Sequence, residues 1–128
     1  MTSAAVVDTS WLVALAFGEP GSSRLVTRLR RFDRLFASAL IEAELLAAFR
    51  RERVDADLAD FTGHLSLVSP DRPLSAELRR AADAGYLRGA DLWHVACALF
   101  LSPNPTDITF LTLDKPQRDV ARRLGFAV

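Results

Sequence analysis

Apolar residues fall along this chain in short blocks of two kinds, and the way they alternate predicts the fold. Residues 4–7 (Ala-Ala-Val-Val) form a continuous apolar run that stops at Asp8, the pattern of a strand covered on both faces in a parallel sheet. Asp8-Thr9-Ser10 supplies helix-starting side chains before Trp11 to Phe17, and Gly18, Pro20 and Gly21 break that helix. An arginine-rich helix is predicted from about Ser22 to Arg31. Leu35-Phe36-Ala37 reads as a second strand, with Ser38 opening a long helix through Arg53. A polar amphipathic stretch at 55–64 leads to a strand at 65–68 and a turn around Pro70 and Pro73. Residues 74–84 and 89–101 read as two helices joined between Gly85 and Gly89. After the Ser102–Pro105 loop, Ile108 to Leu113 is the clearest strand in the chain. Pro116 suits a helix start, Gly125 suits its stop, and Phe126–Val128 adds an edge strand.

Strands alternating with helices predict a three-layer α/β/α sandwich around a central, mostly parallel sheet. No repeat, low-complexity tract or linker divides residues 1–128, so they read as a single domain. In such sheets functional groups gather beyond the carboxyl ends of the strands. That rule directs attention to Asp8 and Asp114, each of which directly follows a predicted strand.

Composition narrows the class. Half of the 128 residues are apolar and a quarter are charged, enough for a packed core and unlike a disordered tail, a collagen repeat or a coiled-coil rod. Sixteen cations balance sixteen anions, which argues against a strongly basic nucleic-acid wrapper but permits local basic patches. Lys115 is the sole lysine, and arginines crowd residues 24–34 and 50–53. Those clusters read first as soluble helix surfaces and second as phosphate contacts, where forked donors suit an RNA backbone. Cys97 has no partner for an internal disulfide and reads as a small buried thiol in a reducing, cytoplasmic setting. No apolar run is long enough to span a membrane, and the N-terminus, with no cation before Arg24, does not read as a signal peptide.

Four carboxylates stand in unusual surroundings. An acid after a strand, such as Asp8 or Asp114, also serves as a turn-former or helix cap. Asp91 is the only acid on a nearly all-round apolar helix, where a buried charge costs several kcal/mol unless paired or metal-bound. The long helix after Ser38 offers Glu42 and Glu44, and helical periodicity does not choose between them. If Asp8, one of these glutamates, Asp91 and Asp114 converge, their mutual repulsion calls for a divalent cation. All-oxygen donors select a hard ion, Mg²⁺ or Mn²⁺. Such an ion activates water and neutralises charge on a phosphodiester.

Other chemistries lack their residues. The sequence has no Gly-rich phosphate loop, no His-Glu-x-x-His, no Cys-x-x-Cys and no Gly-x-Ser-x-Gly. His64 and His94 are the only histidines, which argues against zinc, and His94 reads as a packed residue sooner than as part of a site. Trp11 and Trp93 read as core or interface aromatics, and Asp119 with Arg122 and Arg123 as a helix-surface ion pair.

Taken in order, the acids and their neighbours resemble the PIN-domain family, specifically the small VapC-type ribonuclease toxins of prokaryotic toxin–antitoxin pairs. Val7-Asp8-Thr9-Ser10 is similar to that family's opening acid and following hydroxyl. Ser38-Ala-Leu-Ile-Glu-Ala-Glu44-Leu-Leu is similar to its second motif, and this match selects Glu44 over Glu42. Leu87-Arg-Gly-Ala-Asp91-Leu-Trp-His resembles the third, and Phe110-Leu-Thr112-Leu-Asp114, with a helix ending in Leu-Gly-Phe126, the fourth. The resemblance covers essentially the whole chain. It implies a metal-dependent endoribonuclease in which Asp8, Glu44, Asp91 and Asp114 are catalytic and hold Mg²⁺ or Mn²⁺, with Thr9, Ser10 and Thr112 as supporting hydroxyls. It also implies an RNA substrate, a cognate antitoxin that covers the groove, and a toxin homodimer.

Two rival readings stay open. A phosphoacceptor receiver domain has similar length and element order, and Lys115-Pro116 matches its lysine-proline pair. A receiver, however, needs an acidic pair after its first strand, where this chain has Asp8-Thr9-Ser10, and an aspartate ending its central strand. The second rival is a catalytically silent PIN-fold binding module.

Overall fold

The structure, a computed structural model, describes residues 3–128. Strand β1 (Ala4–Val7) leads into helix α1 (Thr9–Ala16), and α2 (Ser22–Leu29) precedes β2 (Arg34–Ser38). Then come α3 (Leu40–Arg51), the one-turn α4 (Ala59–Thr62) and β3 (Ser66–Val68). Helices α5 (Ser75–Ala84) and α6 (Gly89–Leu101) follow, and a 3₁₀ turn (Pro105–Asp107) leads into β4 (Thr109–Leu111) and α7 (Lys115–Leu124). Among the described residues no helix is long and apolar enough to cross a membrane.

All strand pairings in the four-stranded sheet are parallel, in the order β3-β2-β1-β4. Alternation along the strands divides the core into two layers, giving the α/β/α sandwich the pattern predicts. Val6 sits opposite Phe36 and Phe110 in the ladder, and on their side Ala81, Val95, Ala98, Leu99, Val120 and Ala121 of α5, α6 and α7 pack. Ala5, Val7, Ala37 and Leu111 face the other way, onto Trp11 and Leu12 of α1 and Ile41, Leu45 and Phe49 of α3. Phe49 and Phe110 anchor the two layers, and fully burying one such ring contributes roughly 1.5–3 kcal/mol.

Local chemistry sets the ends of the elements. The long helix predicted to run from Ser38 through Arg53 is shorter, Leu40–Arg51. Arg53 takes the left-handed backbone conformation (φ 54°), and Val54 N–H turns back to the Phe49 carbonyl at 2.8 Å. Strand β4 ends at Leu111, earlier than the apolar run suggests. Asp8 N–H takes the Leu111 carbonyl at 2.9 Å, and Leu113 N–H leaves the ladder for Ser10 Oγ at 3.0 Å. The final edge strand reduces to one parallel bridge, Ala127 to Thr109. Gly125, at φ 105°, terminates α7 in a conformation that a side chain would strain.

Topology also decides against the receiver reading. A receiver orders its strands 2-1-3-4-5, with its third strand beside its first. Here β3 lies at the outer edge beside β2, and β4 takes the place next to β1. Asp8 and Asp114 consequently follow neighbouring strands.

Candidate active site

Asp8 directly follows β1 and has the parity of Val6, so its side chain falls on the α6/α7 side of the sheet. It caps α1: Oδ2 accepts the Ser10 N–H at 3.0 Å. Only 3% exposed, Asp8 takes further hydrogen bonds from Gln117 Nε2 to Oδ1 (3.1 Å) and from Thr112 Oγ1 to Oδ2 (3.5 Å). This carboxylate is held at both oxygens by donors from β1's own loop, the β4 extension and α7.

Gln117 organises that arrangement, and sequence reasoning did not single it out. Its side chain is wholly buried. The amide nitrogen also donates to the Asp91 backbone carbonyl at 3.1 Å, while Oε1 accepts from Thr112 Oγ1 at 2.6 Å. The signal was available in the pattern, because Gln117 lies three and four positions before Val120 and Ala121, on the buried face of α7. A glutamine on an apolar stripe needs polar partners inside.

Asp114 caps α7, accepting the Gln117 N–H at 3.0 Å, with its own N–H bound to Thr112 Oγ1 at 3.1 Å. Pro116 in the first turn suits this start, as it has no N–H to satisfy. Asp91 stands in the first turn of α6. Asp91 and Asp114 line one cavity of about 390 Å³ with Tyr86, Leu87, Arg88 and Pro116. Burial, then the charges of Asp8, Asp114 and Glu44, push the Asp91 carboxyl above the usual aspartate range, against an opposing pull from His94.

Glu44 projects from α3 into a different polar contact. Its Oε1 accepts from Thr9 Oγ1 at 2.8 Å and forms a short hydrogen bond with His94 Nε2. The expectation that His94 is simply packed needs revision. It is packed, at 1% exposed, and it also joins the acidic centre, with Nε2 3.4 Å from Thr9 Oγ1 and 4.0 Å from Asp8 Oδ1. Burial pushes its pKa down, but the Glu44 hydrogen bond and the charges of Asp8, Glu44 and Asp91 outweigh it, so the imidazole titrates above its ordinary value. The His94 bond in turn holds Glu44 below the usual glutamate range, against the effect of burial. Once protonated, His94 between Asp8 and Glu44 offsets part of their negative charge. Its Nδ1 is buried without a partner.

The predicted hydroxyls are all present at this end of the sheet. Thr9 reaches Glu44 and His94, Thr112 reaches Asp8 and Gln117, and Ser10 Oγ lies 3.3 Å from Thr112 Oγ1. Cys97 is buried in α6, and burial raises its thiol pKa to about 11, which makes it inert. On α7, Asp119 pairs with Arg122 at 3.2 Å as expected, but with Lys115 in place of Arg123.

The donor chemistry fits a hard divalent cation: carboxylate oxygens, of which Asp91 bears repulsion from the other three that His94 only partly opposes. Among the described residues, however, no three His, Cys, Asp or Glu groups stand at metal-ligating spacing, and Glu44 is turned onto His94.

No curated protein matches the chain. The PIN domain family model matches residues 5–123 and so takes in all four acids, Gln117 and His94. PIN domains are nuclease folds that generally use divalent metal ions, in keeping with the all-oxygen donor set. With a four-stranded parallel sheet between two helical layers and a match over nearly its whole length, the chain belongs to the PIN domain family.

Proposed function

We propose that the protein is a metal-dependent endoribonuclease of the VapC toxin type, hydrolysing RNA phosphodiester bonds. The observation that supports this most is the setting of Asp91, which shares a cavity with Asp114 and whose carboxyl is raised first by burial and then by the charges of Asp8, Asp114 and Glu44. Acids from four separate elements repel one another here, a costly arrangement for stability and a useful one for holding a cation.

Asp8, Glu44, Asp91 and Asp114 are the residues that would hold Mg²⁺ or Mn²⁺. Such an ion, when bound, supplies an activated water and neutralises charge on the phosphate. The remaining work belongs to the chain. Gln117, Thr112 and the Ser10 N–H fix the Asp8 carboxylate, the Gln117 N–H fixes Asp114, and Thr9 orients Glu44. Tyr86, 86% exposed on the cavity that Asp91 and Asp114 line, offers a base a ring to stack on. An antitoxin that covers the acidic groove and a second copy of the chain complete the proposal, on the strength of the resemblance to VapC-type toxins.

The test is cleavage of total cellular RNA by the purified chain in Mg²⁺, Mn²⁺ and EDTA, with Asp91→Asn alongside. Discrete fragments that require both metal and Asp91 support the reading. Intact RNA throughout removes it and leaves the silent PIN-fold module. An Asp91→Asn protein that cuts at the wild-type rate removes the role of that residue.

A further inference from the structure

A second cavity, of about 290 Å³, is lined in part by Thr112, whose hydroxyl donates to Asp8's partner Gln117. Four arginines line it in two pairs: Arg24 and Arg28, one turn apart on α2, and Arg118 and Arg122, one turn apart on α7. Like charges at that spacing on a helix repel. No Asp or Glu side chain lines the cavity. Arg122 pairs with Asp119 at 3.2 Å, and among the described residues Arg24, Arg28 and Arg118 form no ion pair. At the base, Arg28 lies 5.9 Å from the ring centre of Trp11, whose buried indole N–H has no hydrogen-bond partner. Four guanidinium groups around one small space, with no carboxylate among its lining residues, form a site for an anion.

Its position identifies the anion. Arg118 donates to the Thr112 carbonyl at 3.3 Å, and the Thr112 hydroxyl lies 3.5 Å from Asp8 Oδ2. Arg118 N–H also bonds the Asp114 carbonyl at 2.9 Å. The cavity and the acidic centre thus share one residue of the β4 extension and the first turns of α7. Asp114, on the acidic cavity, and Arg118, on this one, stand one turn apart at the start of α7, which sets the two openings side by side.

Resting on the ribonuclease reading above, we infer that the Arg24–Arg28–Arg118–Arg122 cavity binds a backbone phosphate of the RNA next to the one cleaved. It separates these arginines from the others in the sequence clusters. Arg34 is stacked 4.9 Å from the Phe36 ring centre, Arg51 pairs with Glu52, and Arg50 and Arg53 border a different cavity. The cavity holds the RNA in register on the acids and has no part in recognising bases.

The experiment measures binding without cleavage. Fluorescence anisotropy follows a labelled single-stranded oligouridylate in EDTA over a range of salt, with wild type, Arg24→Gln, Arg28→Gln, Arg28→Lys and Arg79→Gln. Arg24→Gln and Arg28→Gln each weaken binding about tenfold and make the slope of log K against log[salt] shallower by about 0.7. Arg28→Lys regains the slope but only part of the affinity, since it restores charge and not the fork. Arg79→Gln, exposed on α5, changes neither. Arg24 is also exposed, so its variant carries the test if Arg28→Gln unfolds. The inference is overturned if the wild type fails to bind, or if the cavity variants keep wild-type affinity and slope. It is equally overturned if they keep RNA binding and lose binding to a polyglutamate peptide, which would make the cavity a seat for an acidic protein segment. Wild-type RNA binding with the predicted slopes but no metal-dependent cleavage would sink the nuclease reading and leave the phosphate cavity standing.

Discussion

Gln117 Nε2 donates to Asp8 Oδ1 at 3.1 Å, tying the last helix to the end of the first strand across 109 positions of sequence. The same amide holds the Asp91 carbonyl, and its oxygen holds Thr112. One neutral side chain therefore positions parts of three acid-bearing segments.

Replacing that glutamine with leucine keeps the volume and removes the polar network. Asp8 Oδ1, the Asp91 carbonyl and Thr112 Oγ1 each lose a buried partner. We expect Gln117→Leu to cost about 2–4 kcal/mol in urea unfolding, with RNA cleavage lost. Unchanged stability would mean that water satisfies all three groups.

Asp91→Asn should act in the opposite sense on the metal-free protein. It removes a charge that three neighbouring carboxylates oppose, so stability rises, by at most about 1 kcal/mol because Asp91 is partly solvated. Thermal unfolding in EDTA reads this directly. A clear loss of stability would show that Asp91 serves its helix as a first-turn acid and little else.

The metal-free protein should also lose stability as pH rises above 6.5. His94 titrates above its ordinary 6.5 in the fold, so the folded state holds this proton more tightly than the unfolded chain. Its contribution is complete below pH 6.5 and disappears as pH rises through the folded value. Glu44, held low, adds the reverse dependence on the acid side, losing its contribution as pH falls below 4.5. Melting temperatures in EDTA across pH 5 to 9, at roughly half-unit steps, should fall on the alkaline side. His94→Gln should flatten that decline, and a decline that persists would assign it to another group.

Tyr86→Ala tests the substrate side. With 86% of its surface exposed, Tyr86 contributes little to folding, so the melting temperature should stay constant. Loss of one stacked base should weaken oligonucleotide binding by about 1–3 kcal/mol. Equal binding by both proteins would take Tyr86 out of the RNA path.

Much of this was legible in the sequence because it depends on local pattern. The Ala4–Val7 run, the helix start at Asp8 and the Pro116-to-Gly125 helix are written in consecutive residues, and each element forms there. The rule that functional groups gather at strand ends singled out Asp8 and Asp114, which do follow neighbouring strands. Less legible were relationships made only by packing. Helical periodicity could not choose between Glu42 and Glu44, since the choice depends on His94, 50 positions beyond Glu44. Gln117 looked like one polar residue among several on α7, and its burial follows from how that helix docks on β4 and α6. The grouping of Arg24 and Arg28 with Arg118 and Arg122 likewise exists only once α2 and α7 flank the same sheet edge.

The strand order carries a consequence for synthesis. Strand β1 is paired on one side by β2, but its other side waits for β4, residues 109–111. Chains emerge N-terminal end first and fold as segments become available. Until α7 clears the ribosome, Asp8 lacks Gln117 and Thr112, and Asp114 has not been placed. A product truncated before Asp114 carries three of the four acids with no scaffold to assemble them. The acidic centre therefore assembles only after residues 109–117 have joined the fold.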